Sequence, residues 1–290
     1  MSYVPESMVG EWTIEPRQNS ILARIAEVWR YRHLLGYFAT RTLQLLYKRS
    51  SFGWLWMMVR VTAPIGIMAV IFGAVIGLKS NDDTPYFLFM LCGQTTWLLF
   101  DRSLLFITRS IERNRKLIAK VYFPRLILPI AAASPALLFL TILSVVIFGV
   151  NIYQRYHSGV WYIPLAWRLL LAPVAVVIAL LFAIAIGFWT SVLQARYRDI
   201  RFGLRYTTGF LIYATTVLYP LSQIKHPLVR GLVYANPMES AIELFRFATV
   251  GTPLELSKMI FAMQVLAIFL VALSGIWFFN REESASVDRL

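Results

Sequence analysis

Residues 126–150 and 169–193 contain no charged side chain. An α-helix rises about 1.5 Å per residue and a bilayer's hydrocarbon core is about 30 Å thick, so each run has the length of a crossing helix. Lipid offers no hydrogen bonds to peptide groups, which makes helix the natural conformation of such a run. Six segments reach or approach this length: about 53–78, 84–107, 126–150, 169–193, 206–221 and 259–279. The fifth is short. With 58% hydrophobic residues and only 15% charged ones, the chain is too apolar for a soluble domain of 290 residues. The expected fold is an all-α integral membrane protein with six transmembrane helices per subunit.

The charged residues lie mostly between these segments. The net charge of +13 does not indicate nucleic acid, because the cations follow the connections rather than an aromatic-studded groove. They read as topology signals. Residues 1–52, 108–125, 194–205 and 280–290 together carry nineteen Lys and Arg, whereas the alternate connections carry seven. Cytoplasmic connections are the cation-rich ones, so the expectation is a multi-pass protein with both termini in the cytoplasm. Cys92 is the single cysteine, and His33, His157 and His226 are scattered, leaving no ligand set for a metal. Residues 1–19 form a polar tail that does not resemble a cleavable signal peptide.

Three connections carry patterns of their own. Residues 20–52 read as a pair of amphipathic helices at the inner interface, interrupted at Gly36. In residues 109–123, Arg109, Arg113, Lys116 and Lys120 repeat at helical spacing opposite Ile111, Leu117, Ile118, Val121 and Tyr122, and Pro124 follows. That helix suits lipid headgroups and a docking protein equally well. Residues 222–253 read as an external re-entrant helical hairpin. Asn236 caps its second helix, Pro237 takes the first position and Glu239 the third. Met238, Ile242 and Phe245 then share one face, with Glu239, Glu243 and Arg246 on another. Residues 280–290 form a short cytoplasmic tail.

Few residues invite chemistry. There is no GxxxxGK[ST] loop for nucleotide phosphates, no HExxH and no GxSxG. The pair Asp82 and Asp83 reads as a solvated turn, and Asp101 with Arg102 as an interface-level pair. Arg60 lies early in the first span on a stripe with Trp56, Met57 and Pro64. It either snorkels to the interface or faces a wet pathway, where a cation suits an anionic headgroup. In the fifth segment, RYTTGFLIYATTVLYP, the rings of Tyr206, Phe210 and Tyr213 recur at helical spacing. Such a stripe serves helix packing, or lines a conduit with ring faces that sugar can slide over.

Five stretches, taken in order, resemble the marks of ABC-2 type transporter permeases. They are WRYRHLL (29–35), YKRSSFGWLWMM (47–58), RKLIAKVYFPRLILP (115–129), ARYRDIR (195–201) and ANPMESAIELFRFATVG (235–251). The group most resembled exports lipid-linked O-antigen, capsule or teichoic-acid chains. The resemblance implies a non-enzymatic half-transporter in the bacterial cytoplasmic (inner) membrane. Two copies of the subunit pair with two copies of a separate cytoplasmic ATPase. No cofactor sits on this chain; ATP and Mg are bound by the partner. The resemblance also assigns roles by position. ATPase docking falls to Ile111, Arg113, Arg115, Lys116, Ile118, Lys120 and Tyr122, and the channel lining to Trp56, Arg60, Tyr206, Phe210 and Tyr213. The exit gate falls to Asn236, Pro237, Glu239, Glu243 and Arg246 within the hairpin. RTLQLLYK, from Arg41 to Lys48, departs from the acidic-basic pattern that relatives often carry there. An ABC-2 exporter of small hydrophobic drugs or lipids is the alternative, and a membrane enzyme of lipid-linked sugar assembly is a third.

Overall fold

The computed structural model describes residues 28–47, 53–80, 84–118, 120, 123–163 and 167–287, and among them every regular element is helical. Four helical stretches among the described residues are long and apolar enough to cross a membrane: Leu55–Val75, Ile127–Ser158, Trp167–Arg196 and Lys258–Glu282. Their outward faces carry large bare side chains, among them Val70, Val145, Leu181 and Phe269. Apolar surface on this scale is untenable in water and suits lipid or a partner.

Helix α1 (Arg32–Tyr47) packs against α5 (Ile127–Ala132), with Phe38 buried against Phe123, Ile127 and Leu128. Gly36, expected to interrupt this region, lies inside α1, and the helical path is broken at Tyr31 instead. A lone glycine costs a helix only about 1 kcal/mol, which the packing of Phe38 outweighs. Residues 20–27 of the expected helix pair fall outside the described residues, as do Asp82 and Asp83.

Helix α2 (Gly53–Ala69) continues through a π-helical turn, Val70–Val75, in which the Ile76 N–H reaches the carbonyl of Ile71. Helix α3 (Tyr86–Thr108) is the axis of the fold, with 16 of its 23 residues buried by α6 (Ser134–Ser158), α7 (Ala172–Arg196) and α10 (Met238–Thr249). That position explains its composition. A helix wrapped by protein rather than lipid tolerates Gln94, Thr95, Thr96 and Ser103, and it is not among the four lipid-length helices. Phe100 stacks on Phe182 at 5.1 Å, and the hydroxyls of Thr108 and Thr190 meet at 2.8 Å, joining α3 to α7.

The last helix, α11 (Lys258–Val287), lies along α7. A Cβ at Gly275 would stand 2.7 Å from the carbonyl oxygen of Ala185, so this close approach requires glycine. The sixth segment was expected at about 259–279 with a short tail after it; the helix continues through the first residues of that tail to Val287, and there Arg196 pairs with Glu282.

Candidate gate and coupling surfaces

The fifth apolar segment does not form one continuous helix. Helix α8 (Ile200–Leu211) begins before it, tightens into a 3-10 turn at Ile212–Ala214, and stops when Thr215 adopts extended dihedrals. Fifteen residues at 1.5 Å make a rod of about 22 Å, short of a hydrocarbon core. The chain then turns through Thr215, Thr216, Val217 and Leu218, all of them almost completely buried. Buried peptide groups that have left a helix must find other partners, or each costs about 1–3 kcal/mol.

Those partners come mainly from the hairpin made by α9 (Pro227–Ala235) and α10. Asn236 Nδ2 donates to the Ala214 carbonyl at 3.3 Å, and the Thr216 N–H donates to Glu239 Oε2 at 3.0 Å. The Thr216 hydroxyl also donates to Glu239 Oε1. Arg246 does most: Nη2 donates to the carbonyls of Thr216 and Val217, Nη1 to Thr216 Oγ1, and Nε to the Phe89 carbonyl on α3. Its guanidinium lies 3.7 Å from the Phe89 ring centroid. From α3, the Tyr86 hydroxyl donates to the Leu218 carbonyl at 2.6 Å. A Cβ at Gly93 would lie 2.4 Å from Arg246 Nη2 and 3.1 Å from Val217 Cα, so the missing side chain makes the room that Arg246 occupies.

Two helices, α9 and α10, occupy the stretch expected to form the hairpin, and the polar side of α10 is not turned outward. Glu239 and Arg246 are 0% and 3% exposed, and Glu243 6%. Sequence pattern places these residues on the polar face of an amphipathic helix; the structure turns that face inward because the broken end of α8 needs donors and acceptors that lipid and apolar side chains cannot supply. The Asn236 cap is formed, with the Met238 N–H donating to Oδ1 at 3.1 Å. Glu239 does not complete a capping box, since its carboxylate is taken by Thr216.

Glu243 holds the other side of the hub. Oε2 accepts the N–H groups of Glu255 at 3.1 Å and Leu256 at 2.9 Å, fixing the connection to α11, and Glu255 in turn accepts from the Ser222 N–H. Burial pushes the Glu243 carboxyl up to about 8, with the charge of Glu239 adding to the shift. Burial also raises Glu239, against the Thr216 hydrogen bonds and the Arg246 charge, and it raises Glu255. Beside these groups lies a cavity of about 20 Å³, the size of one water molecule, lined by Phe89, Thr216, Glu243, Arg246 and Glu255 among others.

At the opposite end of α3 lies the basic helix α4 (Ser110–Ile118). Lys120, inside the expected range of 109–123, lies in a turn, and residues 119, 121 and 122 fall outside the described residues. Arg113, Arg115, Lys116 and Lys120 are exposed, while Ile111, Leu117 and Ile118 pack against the chain's own core; Tyr122 is outside the described residues. One contact was not foreseen. Gln194, 1% exposed near the end of α7, donates from Nε2 to Glu112 Oε2 on α4 at 3.0 Å and accepts the Arg201 N–H of α8 on Oε1 at 2.8 Å. A single amide thus ties the basic helix to the start of the broken one. The sequence signal was only a lone polar residue ending a long apolar run.

The proposed channel residues fall into two groups. Tyr206 and Phe210 are 69% and 72% exposed on α8, and Tyr213 is 50% exposed on the 3-10 turn that follows it. Trp56 and Arg60 line a cavity of about 460 Å³ between α2, α3 and α6, and those three rings are not among its lining residues. No cluster of metal-ligating side chains occurs among the described residues.

The model of the ABC-2 type transporter family matches residues 33–250. The chain belongs to the ABC-2 type transporter family. Three relatives are named O-antigen export system permease protein RfbA. One, from Myxococcus xanthus, is 28% identical over 265 residues, covering 90% of this chain and 97% of that protein. Two from Klebsiella pneumoniae are 25% and 27% identical, covering 86% and 73% of this chain and 91% and 78% of the relatives. The ABC-2 match spans α1 to the end of α10, so both the basic helix and the buried hub fall within it.

Proposed function

We propose that the chain is the permease subunit of an exporter that moves a lipid-linked polysaccharide across the bacterial inner membrane, driven by ATP hydrolysis on a separate partner. The observation that carries this reading is the end-to-end similarity to an O-antigen export permease, over 97% of that relative's length. Two copies of the chain make the conduit and two ATPase copies power it; both termini face the cytoplasm, and α3 and the broken α8 complete the set of six membrane segments.

In this reading the exposed cations of α4 meet the ATPase, and Ile111, Leu117 and Ile118 hold the helix to its own subunit. Closure of the ATPase on ATP displaces α4, and the Gln194 bridge passes that displacement to α8, whose exposed rings face the passing glycan. The hub around Arg246 holds the far end of α8 and acts as the exit gate. ATP biases the transporter only through its better binding to the closed arrangement.

The test is deletion of the gene, complemented by the wild-type chain, with extraction and separation of the lipid-linked glycans. Accumulation of glycan on its carrier inside the cell, relieved by complementation, is the expected result. Unchanged glycan export, with small hydrophobic compounds retained instead, would move the assignment to a drug or lipid exporter.

A further inference from the structure

The sequence separates Arg60 from Arg102 by two segments, yet the fold lines one cavity with both. Arg60 lies seven residues after the start of α2 and Arg102 six before the end of α3, so the two sit about 9–10 Å along their helices from the ends that adjoin the basic connections. Their distances from those ends are similar. Gln94 adds an amide, and every other lining residue is apolar, with Trp56, Phe106 and Phe139 the largest.

The arginines are poorly neutralised. Arg60 makes no ion pair or hydrogen bond with another described residue. Arg102 has Asp101 beside it, with Nε 3.7 Å from Oδ2, beyond hydrogen-bond distance, and that Nε is buried with no hydrogen-bond partner among the described residues. Its guanidinium lies 5.9 Å from the Phe139 ring centroid. One carboxylate against two guanidiniums leaves the cavity net positive. Cations inside apolar segments are costly and are tolerated where they face a functional counter-charge. Planar guanidinium forks match phosphate oxygens in pairs, more strongly than isolated point charges do.

We propose that this cavity is a binding site for the phosphate or diphosphate headgroup of a membrane lipid, with the apolar walls taking the first carbons of its chain. About 460 Å³ is within the usual size of a small-molecule site. The walls decide for a lipid over free phosphate: a soluble anion would leave the aromatic and aliphatic lining uncovered, whereas a lipid pairs both halves of the site. The proposal deepens the export reading, since it puts the charged end of a lipid-linked substrate on α2 and α3. It rests on that reading only for the identity of the physiological lipid.

The test uses the full-length chain in nanodiscs of neutral lipid, titrated with a fluorescent long-chain polyprenyl diphosphate. Saturable binding is expected, at least 10-fold weaker in Arg60→Gln/Arg102→Gln and recovered in part by Arg60→Lys/Arg102→Lys. A polyprenyl alcohol should compete at least 10-fold less well, and so should inorganic diphosphate. Equal competition by the alcohol would reduce the site to a greasy groove. Equal competition by inorganic diphosphate would make it a soluble-anion site. Binding lost on self-association of the chain, with the cavity residues shielded by the second copy, would assign it to the dimer contact. Unchanged binding in the double Gln variant overturns the site even if gene deletion still blocks glycan export, so the two readings fail separately.

Discussion

Replacing Arg246 with Met keeps the length and most of the volume of the side chain and removes every donor it has. The Phe89 carbonyl sits within α3 and keeps its helical environment, but the carbonyls of Thr216 and Val217 belong to the turn after α8 and lose the guanidinium that serves both. Two buried unpaired carbonyls cost about 2–6 kcal/mol if each costs about 1–3. Glu239, fully buried and held by Thr216, loses a nearby positive charge at the same time. The expected destabilisation, set by the two carbonyls, is therefore about 2–6 kcal/mol, read as a shift in the unfolding free energy of the purified protein titrated with SDS in mixed micelles. Arg246→Met/Glu239→Gln should recover at least about 1 kcal/mol of it, because the neutral amide removes the carboxylate charge while retaining an acceptor for Thr216. A loss below about 1 kcal/mol in the single variant, or a double variant less stable than the sum of the single changes, would refute the view that Arg246 and Glu239 together replace the missing helix of the turn.

Reversing Arg113 and Lys116 to Glu should leave membrane insertion intact and uncouple ATP hydrolysis from export, seen as at least a 10-fold drop in glycan exported per ATP; normal export by the double variant would reduce the basic stripe to a topology signal. Gln194→Glu sets a carboxylate against Glu112 and removes the amide donor, so coupling should fall several-fold, whereas Glu112→Gln/Gln194→Glu restores donor and acceptor with their places exchanged and should recover it. A swap no better than the single change would show that the bridge carries nothing between α4 and α8. Glu243 is raised in the folded protein above its ordinary carboxylate value, to about 8, so its protonated form favours the fold. That contribution is complete below about pH 4.5 and is lost as pH rises through about 8. Resistance of the hairpin to proteolysis should accordingly be higher at pH 5.5 than at pH 8.5, and Glu243→Gln should flatten the difference.

Much of the architecture was legible because it depends on properties of contiguous residues. The two charge-free runs appear as α5–α6 and α7, the Asn236 signal marks the start of α10, and Arg113, Lys116 and Lys120 are exposed as their spacing indicated, whereas Arg109 of the same stripe is half-buried. Misplaced boundaries have local causes. Gly36 was read as a break although Phe38 packing carries the helix across it, and the fifth segment was read as continuous because its composition is apolar through Val217 and Leu218 even though its backbone is not helical there.

Run length, hydrophobicity and the count of cations between runs can be summed along a chain without knowing what lies beside what, so the sequence alone determined that this is a helical membrane protein with cation-rich alternate connections. The destination of a polar side chain has no such additive measure. Glu239, Glu243 and Arg246 share a helical face in either reading, and only the tertiary structure decided that the face points inward, because their partners are peptide groups of residues 216–217 and 255–256, freed elsewhere by the end of α8 and the turn into α11. The same holds for Arg60 and Arg102, which become neighbours around one cavity through the packing of α2 on α3.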